Sequence, residues 1–187
     1  MTKGLKQKWI ESAYSEFSAF GPDFSLKALA EKSKLPRASL YYHFDSKESL
    51  VEAVIFHHRE MIEKYILELQ KRVKTLIPDL YQVMFDHREG ILFHRQLLLH
   101  QEKNGFHQIY KSANDRALSI LLPQIKQLFG SVGTDEDFIQ FYHTLTDAWY
   151  IRIDPNNFTV ENLIAIALEI MENTLGLFSG IIQPKTN

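Results

Sequence analysis

Two short helical patterns separated by a turn of a few residues occupy positions 25–50, and so short a connection forces the two helices into contact. Ser25 is placed as the N-cap of a helix over about 26–32 that turns Leu26, Leu29 and Ala30 inward. Ser33-Lys34-Leu35 makes the turn, and Pro36 suits the first turn of the next helix, where a missing N–H costs nothing. That helix runs to about Tyr42. Leu40 and Phe44, four apart, anchor it and leave Arg37, Ser39, Tyr42 and His43 facing out. Hydroxyls, rings and cations gathered on one short helix are what a major groove or a row of phosphates requires.

The remaining pattern is helical throughout. Six prolines, eight glycines and apolar residues recurring at three and four predict an all-α chain. A first helix over about 5–19 buries Trp9, Ala13 and Phe17 and stops at Gly21-Pro22-Asp23. Asp45 and Glu48 are spaced as a capping box for a fourth helix, about 46–75, with Leu50, Val54, Met61, Tyr65 and Leu69 on its buried face. Further helices are expected near 78–87, over 90–103 with a stop at Asn104-Gly105, over 106–129 with Pro123 kinking or splitting it, and over 135–152. Thr159 caps a last one to about Phe178, and the tail from Ser179 is expected to fray.

The net charge of −2 conceals an asymmetry. Residues 1–47 hold eight Lys/Arg against five Asp/Glu, and the other 140 hold thirteen against eighteen, so a basic head sits on an acidic body. With no cysteine, disulfides and thiolate metal sites are excluded, and a reducing cytoplasm fits. No apolar run follows the basic N-terminus and none reaches membrane-spanning length, so neither a secretory signal nor a transmembrane helix is expected.

Ala13, Phe17, Gly21, Leu29-Ala30 and above all Leu40-Tyr41-Tyr42-His43-Phe44-Asp45-Ser46-Lys47-Glu48-Ser49-Leu50 resemble the DNA-binding domain of TetR-family transcriptional regulators, over about residues 5–55. The resemblance implies a three-helix DNA-binding domain at 1–47 and a helical ligand-binding and dimerisation domain at 48–187, bridged by the fourth helix. It implies a homodimer on a double-stranded DNA operator, released by a small molecule. It assigns DNA contact to Ser39, Tyr41, Tyr42, His43 and Lys47 and places Arg37 near base edges; Ser25, Lys27 and Pro36 complete the candidate set. Two positions depart from the pattern: Lys34 stands where the turn commonly holds Gly, and Pro36 where the cap commonly holds Ser.

Residues 81–152 are rich in rings, which suggests an apolar pocket for a small hydrophobic or aromatic ligand. Candidate lining residues are Phe85, His94, His100, Tyr110, Phe141, Tyr142, His143, Asp147, Trp149 and Arg152. His143 and Asp147 share a helix face at a spacing that suits a hydrogen-bonded pair or, less readily, a metal; no metal or cofactor is expected. Val160, Leu163, Ile164, Ala167, Leu168, Met171 and Leu175 offer an apolar face for pairing with a second copy. No nucleophile, phosphate loop or zinc motif proposes catalysis. A regulator that represses is the reading; an activator of the same fold or a protein-binding helical adaptor is the alternative.

Overall fold

A computed structural model describes residues 2–103, 105–129 and 134–179. It is all-α, with no strand among the described residues. The helices are α1 (Thr2–Phe20), α2 (Leu26–Ser33), α3 (Arg37–His43), α4 (Lys47–Arg72), α5 (Tyr81–Asp86), α6 (Arg88–Leu99), α7 (Phe106–Phe129), α8 (Asp135–Arg152) and α9 (Val160–Ser179). Single helical turns at Gly21–Asp23 and Pro155–Asn157 link α1 to α2 and α8 to α9, and a kinked segment at Leu76–Leu80, with Ile77 extended, links α4 to α5.

The first three helices form around α1. Trp9, Ala13 and Phe17 are fully buried, and Leu29 of α2, Leu40 of α3 and Phe44 close over them. Ser25 caps α2, its hydroxyl accepting from the Ala28 N–H at 3.3 Å. Leu26 and Ala30 are only half-buried, so Leu29 alone of the expected three is a true core residue. Lys34 takes the left-handed conformation, φ 55° and ψ 24°, at the C-cap of α2. The turn therefore keeps its glycine geometry at a modest strain cost. Pro36 stands one residue before the helix, as the N-cap of α3, rather than within its first turn.

Three further boundaries differ from expectation. The capping box of α4 is Ser46 with Ser49, one residue beyond the Asp45/Glu48 pair, because Ser46 is the residue with extended backbone. The helix expected over 78–87 is broken into a π-type turn at Leu76–Leu80 and the short α5. Helix α6 ends at Leu99 and not at Asn104-Gly105: Asn104 lies outside the described residues, and Gly105, at φ 76°, instead leads into α7. Pro123 is carried inside a continuous α7. Residues 180–187 lie outside the described residues.

α1 is shared between the small three-helix unit and the rest. Its C-terminal half packs on α6, where the Ser18 hydroxyl donates to the Glu89 carbonyl at 3.0 Å and the Gln96 amide donates to the Ala19 carbonyl at 3.4 Å. Gly21 completes this joint. Its φ is +71°, and a Cβ there would stand 2.6 Å from His100 Nε2 and 2.9 Å from Gln96 Oε1. Elsewhere α4 is tied to α7 by the bidentate Arg116–Glu63 pair, at 2.6 and 2.7 Å, and α8 to α9 by the Trp149 indole donating to the Leu163 carbonyl at 2.9 Å. Gly21→Ala meets both the wrong backbone region and a side-chain clash, so it is expected to cost about 1–3 kcal/mol of unfolding free energy by urea denaturation; an unchanged midpoint would refute the close approach.

Candidate functional site

α3 presents its outer face to solvent. Tyr42 is 76% exposed, and Tyr41 is 51% exposed rather than packed beside Leu40. Arg37 lies along the same face, Nη2 donating to the Tyr41 hydroxyl at 3.1 Å and the guanidinium 5.7 Å from the ring centre. The pair holds a flexible side chain in a defined direction. His43 is half-buried, its ring set edge-on to that of Tyr42 at 5.0 Å. Ser39 behaves differently from expectation: its hydroxyl turns inward, accepting from the Trp9 indole at 3.0 Å and donating to the Pro36 carbonyl at 2.7 Å. Its proton is thus spent on holding the start of α3 against α1.

Cations frame this face. Lys47 sits 4.9 Å above the Phe24 ring and Lys6 5.5 Å above the Phe44 ring. Lys27 forms a long, exposed pair with Glu31 at 3.9 Å, which contributes little. Pro36 and Ser25 are exposed beside it. Lys32 is drawn away to Glu16, a carboxylate almost fully buried in α1.

Behind α1 and α4 lies a cavity of about 240 Å³. Its walls are Tyr14 of α1; His58, Met61, Ile62 and Tyr65 of α4; Met84 and Asp86 of α5; His87 between α5 and α6; Glu89, Gly90, Ile91 and His94 of α6; Ala113, Asn114 and Ala117 of α7; and Tyr142, Thr146 and Tyr150 of α8. A smaller one of about 60 Å³ adjoins it, bounded by Phe141, Tyr142 and the turn at Leu76–Leu80.

A chain of buried polar groups runs from α1 into the main cavity. Tyr14 Oη lies 2.9 Å from His58 Nδ1, and His58 Nε2 lies 3.4 Å from His94 Nδ1. His94 Nε2 and Asn114 Nδ2 are buried with no hydrogen-bond partner among the described residues. Burial keeps both rings neutral: it pushes His94 down to about 4, the Asn114 side chain and the Tyr110 backbone pulling weakly the other way, and holds His58 well below the ordinary range, with His94 and His57 adding to the effect. The tautomers then follow from Tyr14. Its hydroxyl has one acceptor among the described residues, His58 Nδ1, and a buried hydroxyl that donates to nothing loses about 1–3 kcal/mol. Tyr14 therefore donates to His58, His58 Nε2–H donates to His94, and His94 Nε2–H is left as a buried donor on a residue that lines the cavity.

Of the ten expected lining residues, His94 and Tyr142 border the main cavity and Phe141 only the smaller one. Tyr110 stacks behind His94, ring centres 4.7 Å apart, and its hydroxyl donates to Asp147 at 2.6 Å. His143 pairs with Asp115 at 3.1 Å, so His143 and Asp147 reach across to α7 and not to each other. Trp149 is core, Phe85 stacks on Phe158 near the surface, His100 lies against Gly21, and Arg152 pairs with Glu169. Missed altogether were Tyr14, His58, Tyr65, His87, Asn114 and Tyr150. His58 was visible in principle, since Leu50, Val54 and His58 form one buried row at spacing four.

A family model described as bacterial regulatory proteins of the tetR family matches residues 10–54, from α1 to the first turns of α4. Over those residues the chain is similar to the N-terminal domain of the tetR family. Biofilm operon icaADBC HTH-type negative transcriptional regulators named IcaR, from Staphylococcus aureus strains Newman and COL, are 28% identical to it over 156 residues, covering 79% of this chain and 83% of theirs. A solved TetR/AcrR-family transcriptional regulator from Aquifex aeolicus VF5 has the same fold, with a TM-score of 0.55 at 15% identity over 91% of this chain and 99% of its own. These similarities support a TetR-type transcriptional regulator, and no described helix is long and apolar enough to cross a membrane.

Neutral buried histidines also set a pH limit. A histidine that titrates at 6.5 unfolded and about 4 folded lets the unfolded state take up protons first, so stability is intact above pH 6.5 and falls between about 6.5 and 4. His94 alone is expected to remove about 2 kcal/mol between pH 7 and 5, and His58 acts in the same direction. Denaturation curves of the wild type and His94→Gln at the two pH values check this: the variant should lose less, and equal losses would refute it.

Proposed function

We propose that the protein is a dimeric repressor that leaves its operator when a small apolar molecule enters the 240 Å³ cavity. The observation that carries the reading is the position of that cavity: α1 and α4 both belong to its wall and both reach the DNA-facing unit, α4 beginning four residues after α3 ends. A ligand that fits one arrangement of α4 better than another shifts the recognition helix with it. The naming of the IcaR relatives as negative regulators supports the sign.

In this reading a dimer delivers two copies of α3 to successive major grooves of a pseudo-palindromic duplex. Arg37 and Tyr42, the exposed groups at the centre of the face, read base edges. Ser39 acts from behind by fixing the start of the helix. Ser25, Lys27, Tyr41, His43 and Lys47 hold phosphates, and Pro36 packs on the backbone. α3 exposes a guanidinium and two phenols rather than an aliphatic stripe, which favours DNA over a protein groove. The dimer would use α8 and α9. Leu163 and Ala167 are wholly buried within the chain and so unavailable, whereas Ile139, Ile151 and Leu168 are exposed. The side chain of Leu175 lies outside what the structure describes.

Selection of bound duplexes from a random pool should return an inverted repeat; recovery of no duplex at low salt would overturn the reading. Arg37→Ala is expected to weaken the selected site by about 1–3 kcal/mol and to relax preference at one base pair per half-site. Lys47→Ala should weaken all sequences alike and lower the salt slope by about one, as measured by titration across ionic strengths.

A further inference from the structure

The main cavity is more specific than an apolar hole. Its lining includes rings and aliphatic groups, among them Met61, Ile62, Tyr65 and Tyr150. The lining also includes His94 and Asn114, whose Nε2 and Nδ2 are buried, each on a residue about 95% buried and neither with a partner among the described residues. Buried donors are normally satisfied, and a pair left open at one cavity wall is a vacancy for an acceptor. Both residues line the same cavity, so a single oxygen with two lone pairs can serve both.

The charges at the wall select against an anion. Among the described residues no Lys or Arg lines the cavity, whereas Asp86 and Glu89 do. Asp86 already holds Arg72 at 2.5 Å, and the Glu89 field acts on Tyr14 inside the chain of polar groups. A carboxylate or phosphate would enter beside like charge with no cation to meet it. The volume exceeds the roughly 150 Å³ that accepts benzene, which suits one or two rings.

Resting on the reading of this cavity as the effector site, we propose that the effector is a neutral, largely apolar ring compound whose carbonyl-type oxygen accepts hydrogen bonds from His94 Nε2 and Asn114 Nδ2, and that the contact is transmitted to α1 through His58 and Tyr14. An acceptor at His94 locks the direction of the whole chain, Tyr14 to His58 to His94 to ligand, with every proton used. A donor ligand would require both imidazoles to exchange tautomers and would leave the Tyr14 proton without its acceptor on α4. Acceptor chemistry in the pocket and the packing of α1 are thereby linked by three side chains on three helices.

Calorimetric titration of the full chain near pH 7 with three probes of matched shape tests this: 2-acetylnaphthalene, 2-ethylnaphthalene and 2-naphthoate. The ketone is expected to bind at least about tenfold more tightly than the hydrocarbon, and the carboxylate most weakly. Asn114→Leu should cut the ketone's advantage to about threefold or less while still binding the hydrocarbon, which shows that the variant is folded. Nitrogen-15 spectra of labelled histidines should show His58 and His94 as Nε2–H tautomers in the ketone complex. Equal binding of ketone and hydrocarbon, tightest binding of the carboxylate, or Nδ1–H tautomers would overturn the inference and leave the effector cavity standing. Failure of all three probes to bind at about millimolar concentration would overturn the effector cavity itself, and this inference with it.

Discussion

Phe93 is the ring on which the molecule is assembled. It is fully buried in α6 and stacks on Phe17 and Tyr14 of α1, centres 4.1 and 4.7 Å apart, and on His58 of α4 at 4.1 Å. Each such pair contributes about 0.5–1.5 kcal/mol beyond simple burial. More important is the geometry: three helices are held in one plane of contact by a single flat side chain. α1 and α4 hold the three-helix unit and α6 carries His94, so no helix can rotate without breaking a stack.

That constraint explains why the cavity matters. A close-packed interior has discrete arrangements rather than a continuous range. The stack on Phe93 leaves a gap beside it, walled by the same helices, and the polar chain from Tyr14 to His94 crosses that gap's edge. Rings set the spacing of α1, α4 and α6, and hydrogen bonds set which proton sits where. The Gly21 joint and the Ser18–Glu89 bond fix the other end of α1 to α6, so a displacement of α6 has α1 as its nearest outlet.

What could be read from residue order was local. Ser25 caps α2, and Leu40 and Phe44 anchor α3, as their spacings require. Errors arose where two local signals competed. Asp45/Glu48 and Ser46/Ser49 are both capping-box patterns in adjacent registers, and only the backbone at Ser46 chooses between them. Asn104-Gly105 looks like a helix stop, yet α6 had already ended at Leu99.

The cavity was the least legible part. Ring-rich composition indicated a pocket in the second half, but His143, Asp147, Trp149 and Arg152 turned out to serve helix-to-helix contacts. The groups that do face the space, Tyr14, His58 and Asn114, lie 44 and 56 residues apart in sequence. The sequence by itself determined the helices, the short turn between α2 and α3, and the exposed cation-and-phenol face of α3, because all of these follow from spacings within a few residues. Only the tertiary structure decided that Ser39 points inward, that two histidines share a chain with Tyr14, and that two donors are left open, because pairing and burial are set by neighbours brought in from distant helices.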